Sequence, residues 1–160
     1  MLIELYKKSR TDAAKEACIR VYLQHLSGVN NWDLVDSSAY TLLGHWLLKR
    51  DRSLLYAFAA GGELWKQRIA VVATLAFIRT GQYTDTLLLA EKLMQHPHPL
   101  MHKALGWMLR EIGKRDEPVL VEFLDQHHRH IPRTMLRYAI ERFPEGVRQG
   151  YLKGIPTDTA

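Results

Sequence analysis

The sequence predicts an all-α fold built from repeated helix pairs, and three observations carry that expectation. No segment keeps the two-residue alternation of a strand: the β-prone runs Val71-Val72 and Val119-Leu120-Val121 both lie inside apolar patterns of helix length. Glycine and proline punctuate the chain at Gly61-Gly62, Gly81, Pro97-His98-Pro99, Gly113 and Pro118. Asp36, Arg68, Lys103 and Arg133 recur at steps of about 30–35 residues, within the range of helical solenoid repeats.

The elements follow in order. Residues 1–8 read as the last turns of an amphipathic helix with no cap before them, as though an earlier segment were absent. A helix over 11–26 carries Ala17-Cys18-Ile19 on an apolar stretch. The next, over 32–49, follows Asn30-Asn31, whose side chains suit an N-cap. Helices over 53–60, 63–79, 84–95, 99–113, 118–130, 132–143 and 144–152 complete the series. Pro99, Pro132 and Pro144 fit first-turn positions, where the missing N–H breaks no bond. No Ser- or Gly-rich linker divides the chain, so residues 1–152 are expected to form one domain, with 153–160 a short tail.

Composition sets limits. With 47% hydrophobic and 24% charged residues, the 160-residue chain has ordinary globular content and is long enough for a real core. Lys plus Arg number 22 against 17 Asp plus Glu, a formal +5 that draws the chain mildly toward polyanions. Cys18 is the only cysteine, which excludes a disulfide framework and a thiolate zinc site and suits a buried, inert thiol. No apolar run reaches membrane-spanning length and nothing reads as a secretory signal, so a cytoplasmic setting and no membrane partner are expected.

No phosphate-cradling glycine motif is present, and no cofactor is expected. Eight histidines include His96 and His98 around Pro97 and the group His127, His128 and His130. No His-x-x-x-His pair with a supporting acid appears on one helix face, so no functional metal is expected. Ser37-Ser38 lack the surroundings of a nucleophile elbow.

If alternate helices line one concave wall, Asp36, Arg68, Lys103 and Arg133 share it: a basic wall interrupted by one acid. Trp32 and Asp36, four residues apart, lie on one helix face. The plainer alternative makes Asp33 and Asp36 early-turn acids favoured by the helix dipole, with Trp32 in the core. Trp107 and Arg110 read either as a core tryptophan beside a solvated arginine or as an indole face offered to a sugar. Arg68, in Trp65-x-x-Arg68, stands near a helix start, where the dipole disfavours a cation; it calls for a partner, either a phosphate or Asp36.

Each of these motifs is weak alone. Their order carries weight: Asn-x-Trp-Asp-x-Val-Asp over 30–36, Trp-x-x-Arg over 65–68, His-Lys-Ala-x-Gly-Trp-x-Leu-Arg-Glu over 102–111, and Pro-Arg-Thr-Met-Leu-Arg-Tyr-Ala-Ile-Glu over 132–141. In this order the chain resembles the AlkD-type DNA alkylation repair glycosylases, a family of HEAT-like helical repeats, over about residues 5–152. The resemblance implies an all-α HEAT-like solenoid acting on duplex DNA that carries alkylated purines. It places the catalytic aspartate at Asp36, the two sugar- and backbone-facing tryptophans at Trp32 and Trp107, and the phosphate-facing arginine at Arg68. Lys103, Arg110 and Arg133 follow as further DNA-contacting candidates.

The implied chemistry needs few groups. An N3- or N7-alkylated purine is already cationic and leaves without a general acid. A fixed carboxylate then stabilises the oxocarbenium-like sugar and orients water. Members of the family usually carry more N-terminal helices than this chain shows. The expected consequence is exposed apolar surface around Leu2, Leu5 and Ile19, open to self-association. The alternative expectation is a non-catalytic HEAT-like module that binds DNA or protein without turnover.

Overall fold

The computed structural model describes residues 1–154, and among them every regular element is helical. The fold class is the expected one, a helical-repeat array. Contacts divide the chain into two compact units, Met1–Gln82 and the residues from Tyr83 onward, each with its own buried core.

The first unit holds α1 (Leu2–Lys8), α2 (Asp12–Gln24), α3 (Trp32–Ser38), α4 (Ser53–Ala60), α5 (Leu64–Ala73) and α6 (Leu75–Ile78). Thr11 caps α2 by accepting from the Ala14 N–H at 3.2 Å, and Asn31 caps α3 by accepting from the Leu34 N–H at 2.9 Å. Each such cap stabilises its helix by about 1 kcal/mol. The sequence predicts one continuous helix over 32–49, and here the structure differs. Beyond α3 the chain widens into a π-helix over Ala39–Gly44, then tightens into a 3₁₀ turn over Leu47–Lys49.

Gly44 supplies the physical reason. A Cβ there would lie 2.4 Å from the Ala73 carbonyl oxygen and 2.9 Å from the Ala76 Cβ. Only glycine lets the backbones come so close, and the extra residue held in the π turn sets Gly44 against the end of α5 and the start of α6. The helix expected over 63–79 is broken at Thr74, whose hydroxyl donates back to the Val71 carbonyl at 2.6 Å.

The second unit holds α7 (Thr84–Leu93), α8 (Pro99–Arg115), α9 (Glu117–His127), α10 (Arg133–Ala139) and α11 (Glu145–Leu152). Pro99 opens α8 as expected, whereas Pro132 and Pro144 stand one residue earlier, at the N-caps of α10 and α11. Gly113 does not end α8. A Cβ on it would meet Leu120 Cδ2 at 2.5 Å, so it serves close packing of α9 instead. Gly106 does the same for α10, facing the Met135 carbonyl and Tyr138.

Cys18 is buried, as the sequence suggested. Leu5 is exposed and Leu2 half-buried, but Ile19 is buried rather than exposed, because α2 turns it into the core of the first unit. Among the described residues no helix is long and apolar enough to cross a membrane. The expected tail over 153–160 lies mostly outside the described residues.

Candidate active site

The chemistry-bearing residues of the first unit gather on α3 and α5. With Asn31 fixing the start of α3, Trp32 occupies its first position and Asp36 follows one turn later. Trp32 is 55% exposed, so it is not a core residue. Asp36 is half-buried and faces Arg68 of α5, which is 5% exposed.

The pairing is close. Arg68 Nε donates to Asp36 Oδ1 at 3.2 Å, and one terminal nitrogen donates to both carboxylate oxygens at 3.1 Å. Such charge-assisted, forked contacts fix a carboxylate in orientation as well as position. A carboxylate offers about four lone-pair sites, so the edge turned from α5 can still bind water or a cationic group. The geometry thus puts Arg68 in the alternative role the sequence allowed, as partner of Asp36. At 5% exposure, little of the Arg68 guanidinium reaches the surface.

In the second unit, Lys103, Trp107 and Arg110 lie along α8. Lys103 is exposed and Trp107 half-buried. The Trp107 indole N–H donates to Glu111, one turn on, which also accepts from Lys114 at 2.9 Å. Burial pushes the Glu111 carboxyl up, but the Lys114 bond, the nearby charges and the Trp107 bond bring it below its ordinary range. Sequence reasoning missed Glu111, although Trp107-x-x-x-Glu111 is a legible i, i+4 signal. Arg110 is committed to Glu141 and lies 5.9 Å from the centre of the Tyr138 ring. Arg133 donates to the Leu152 carbonyl at the end of α11. Of the predicted cations in this unit, Lys103 and Arg133 are exposed and Arg110 is half-buried.

The histidines do local structural work. His98 caps α8 by accepting from the Leu100 N–H at 3.1 Å, and its own N–H donates to His96 Nδ1 at 3.0 Å. Among the described residues no group of three His, Cys, Asp or Glu side chains could hold a metal ion.

The profile described as DNA alkylation repair enzyme matches residues 2–143, nearly the whole chain. The chain belongs to the DNA alkylation repair enzyme family. Its role therefore lies in DNA repair, and DNA is the substrate the family implies. No individually curated protein matches the sequence. For this family member, the Trp32–Asp36–Arg68 group is the candidate active site, with Lys103 and Trp107 as candidates in the second unit.

Proposed function

We propose that this family member hydrolyses the N-glycosidic bond of cationic N3- or N7-alkylated purines in duplex DNA. The observation that carries the reading is the Asp36 carboxylate, held on one edge by Arg68 and half-open on the other, with the exposed Trp32 one turn away. Asp36 stabilises the positive charge that develops on the sugar as the neutral base departs, and it orients the attacking water. Trp32, and Trp107 in the second unit, grip the sugar-phosphate backbone. Residues 1–152 act on the duplex as one domain, in the cytoplasm.

Arg68 aims the carboxylate, a positioning role in place of the phosphate clamp that the resemblance implies. Lys103 contributes phosphate attraction, with Arg110 and Arg133 as weaker contributors because both have partners within the protein. Exposed Leu5, Val21 and Leu34 leave self-association through that part of the first unit within the same proposal.

The test is release of N7-methylguanine from methylated duplex by the wild type and by Asp36→Asn. Release that falls at least about tenfold in the variant, roughly 1.4 kcal/mol of barrier, is the expected result. A folded wild type that binds duplex yet releases no base would sink the catalytic reading in favour of a non-catalytic binding module.

A further inference from the structure

The π-helix over Ala39–Gly44 assembles a second group that the candidate active site does not use. In an α-helix, residues five apart point about 140° away from one another. The π turn, bonded from i to i+5, carries His45 back over Tyr40 instead. The two rings meet edge to face with centroids 4.8 Å apart. Arg79, just past the end of α6, completes the group. Its guanidinium carbon lies 4.6 Å from the Tyr40 ring centre, and Nη1 donates to the Tyr40 hydroxyl at 2.6 Å.

This bracing leaves most of the guanidinium available. Arginine has five N–H donors, and Tyr40 takes one. Arg79 is exposed, and among the described residues its hydrogen bond goes to Tyr40 and not to a carboxylate. Two further cations stand close enough to His45 to depress its protonation, Lys15 of α2 and Lys7 of α1. Lys15 lies 5.7 Å from the Tyr6 ring centre, while Lys7 has only a long contact of 3.9 Å with the exposed Glu4. Arg50, by contrast, is taken up by Asp12 at 3.3 Å and by stacking on Trp46. The group is thus a surface concentration of positive charge with little internal compensation, and Tyr40 follows Asp36 by one turn.

We propose that Arg79, braced on Tyr40 beside His45, is a phosphate-holding site for the DNA backbone, separate from the Asp36 centre. The assignment rests on the reading of duplex DNA as substrate. The ring fixes the guanidinium against the side-chain disorder that weakens most surface arginines, and an arginine fork matches a phosphate's oxygens. Contacts of this kind set register on the duplex without reading sequence.

The test measures binding of an unmodified, fluorescently labelled duplex between about 50 and 200 mM salt. Arg79→Gln should bind several-fold more weakly and lower the salt slope by about 0.9, the value for one lost phosphate contact. Arg79→Lys should retain the slope. If the wild type binds and Arg79→Gln keeps its slope, the phosphate site is overturned while the proposed function stands. If the wild type binds no duplex, the substrate reading itself fails. Displacement of duplex by inorganic phosphate at matched ionic strength, lost in Arg79→Gln, would mean a free-phosphate site and overturn the backbone assignment.

Discussion

Arg68 donates to both oxygens of Asp36, from a position on α5 that is 5% exposed. The carboxylate is therefore held from beneath by a fixed fork while its other edge remains half-open. This relationship separates two roles for Arg68 that sequence alone leaves equal. Arg68→Lys keeps the charge but loses the fork. We expect base release to fall about tenfold, near 1.4 kcal/mol, because the carboxylate is no longer aimed. In Arg68→Gln, which removes the charge as well, the salt slope of duplex binding should stay unchanged. A slope lowered by about 0.9 would restore the phosphate clamp and overturn the positioning role.

Trp32 separates function from stability. Because it is 55% exposed, Trp32→Ala should shift unfolding by no more than about 0.5 kcal/mol. An indole face beside a cationic sugar contributes about 0.5–2 kcal/mol, so release should fall by roughly two- to thirtyfold. Thermal unfolding and base release, measured on one preparation, check both halves.

Gly44 should tolerate no side chain. An added methyl group would press on the Ala73 carbonyl and the Ala76 methyl, neither of which can swing aside. Gly44→Ala is expected to cost about 1–3 kcal/mol in chemical denaturation. Gly28, whose Cβ would meet nothing within 4 Å, gives the control: Gly28→Ala should be nearly neutral.

His45 predicts a pH dependence. Partial burial of its ring, then the charges of Arg79, Lys15 and Lys7, hold its pKa below the ordinary 6.5. The folded state therefore binds fewer protons than the unfolded chain in the window just below pH 6.5. The stability this contributes is complete above that value and is lost as pH falls through the folded pKa. Wild-type stability should decline more steeply than that of His45→Gln between about pH 7 and pH 5. Parallel curves for the two proteins would contradict the cause assigned to the shift.

Much of this architecture is legible in the sequence because helices announce themselves locally. The 3.6-residue pattern and the caps at Thr11 and Asn31 need no knowledge of distant residues, and the helix over Ser53–Ala60 falls where punctuation puts it. Several of the departures depend on neighbours outside the helix concerned. The π turn answers to Ala73 and Ala76, Gly113 answers to Leu120, and Ile19 is buried by the way α2 turns. The candidate site shows the same division. Trp32 and Asp36 are one local signal on α3. The partner of Arg68 and the bracing of Arg79 by Tyr40 span 32 and 39 residues, beyond the reach of any short motif.

The π turn over Ala39–Gly44 also has a consequence for inheritance. It stores one residue more than a regular helix would, between the segment that carries Trp32 and Asp36 and the segment that carries His45 and Trp46. Removing a single residue inside it would let the helix close up with the downstream segment still in phase, but would abolish the i to i+5 overlap that sets His45 over Tyr40. One codon therefore separates two differently equipped surfaces, and insertions or deletions at this point are a short route by which related chains could diverge in how they hold a duplex.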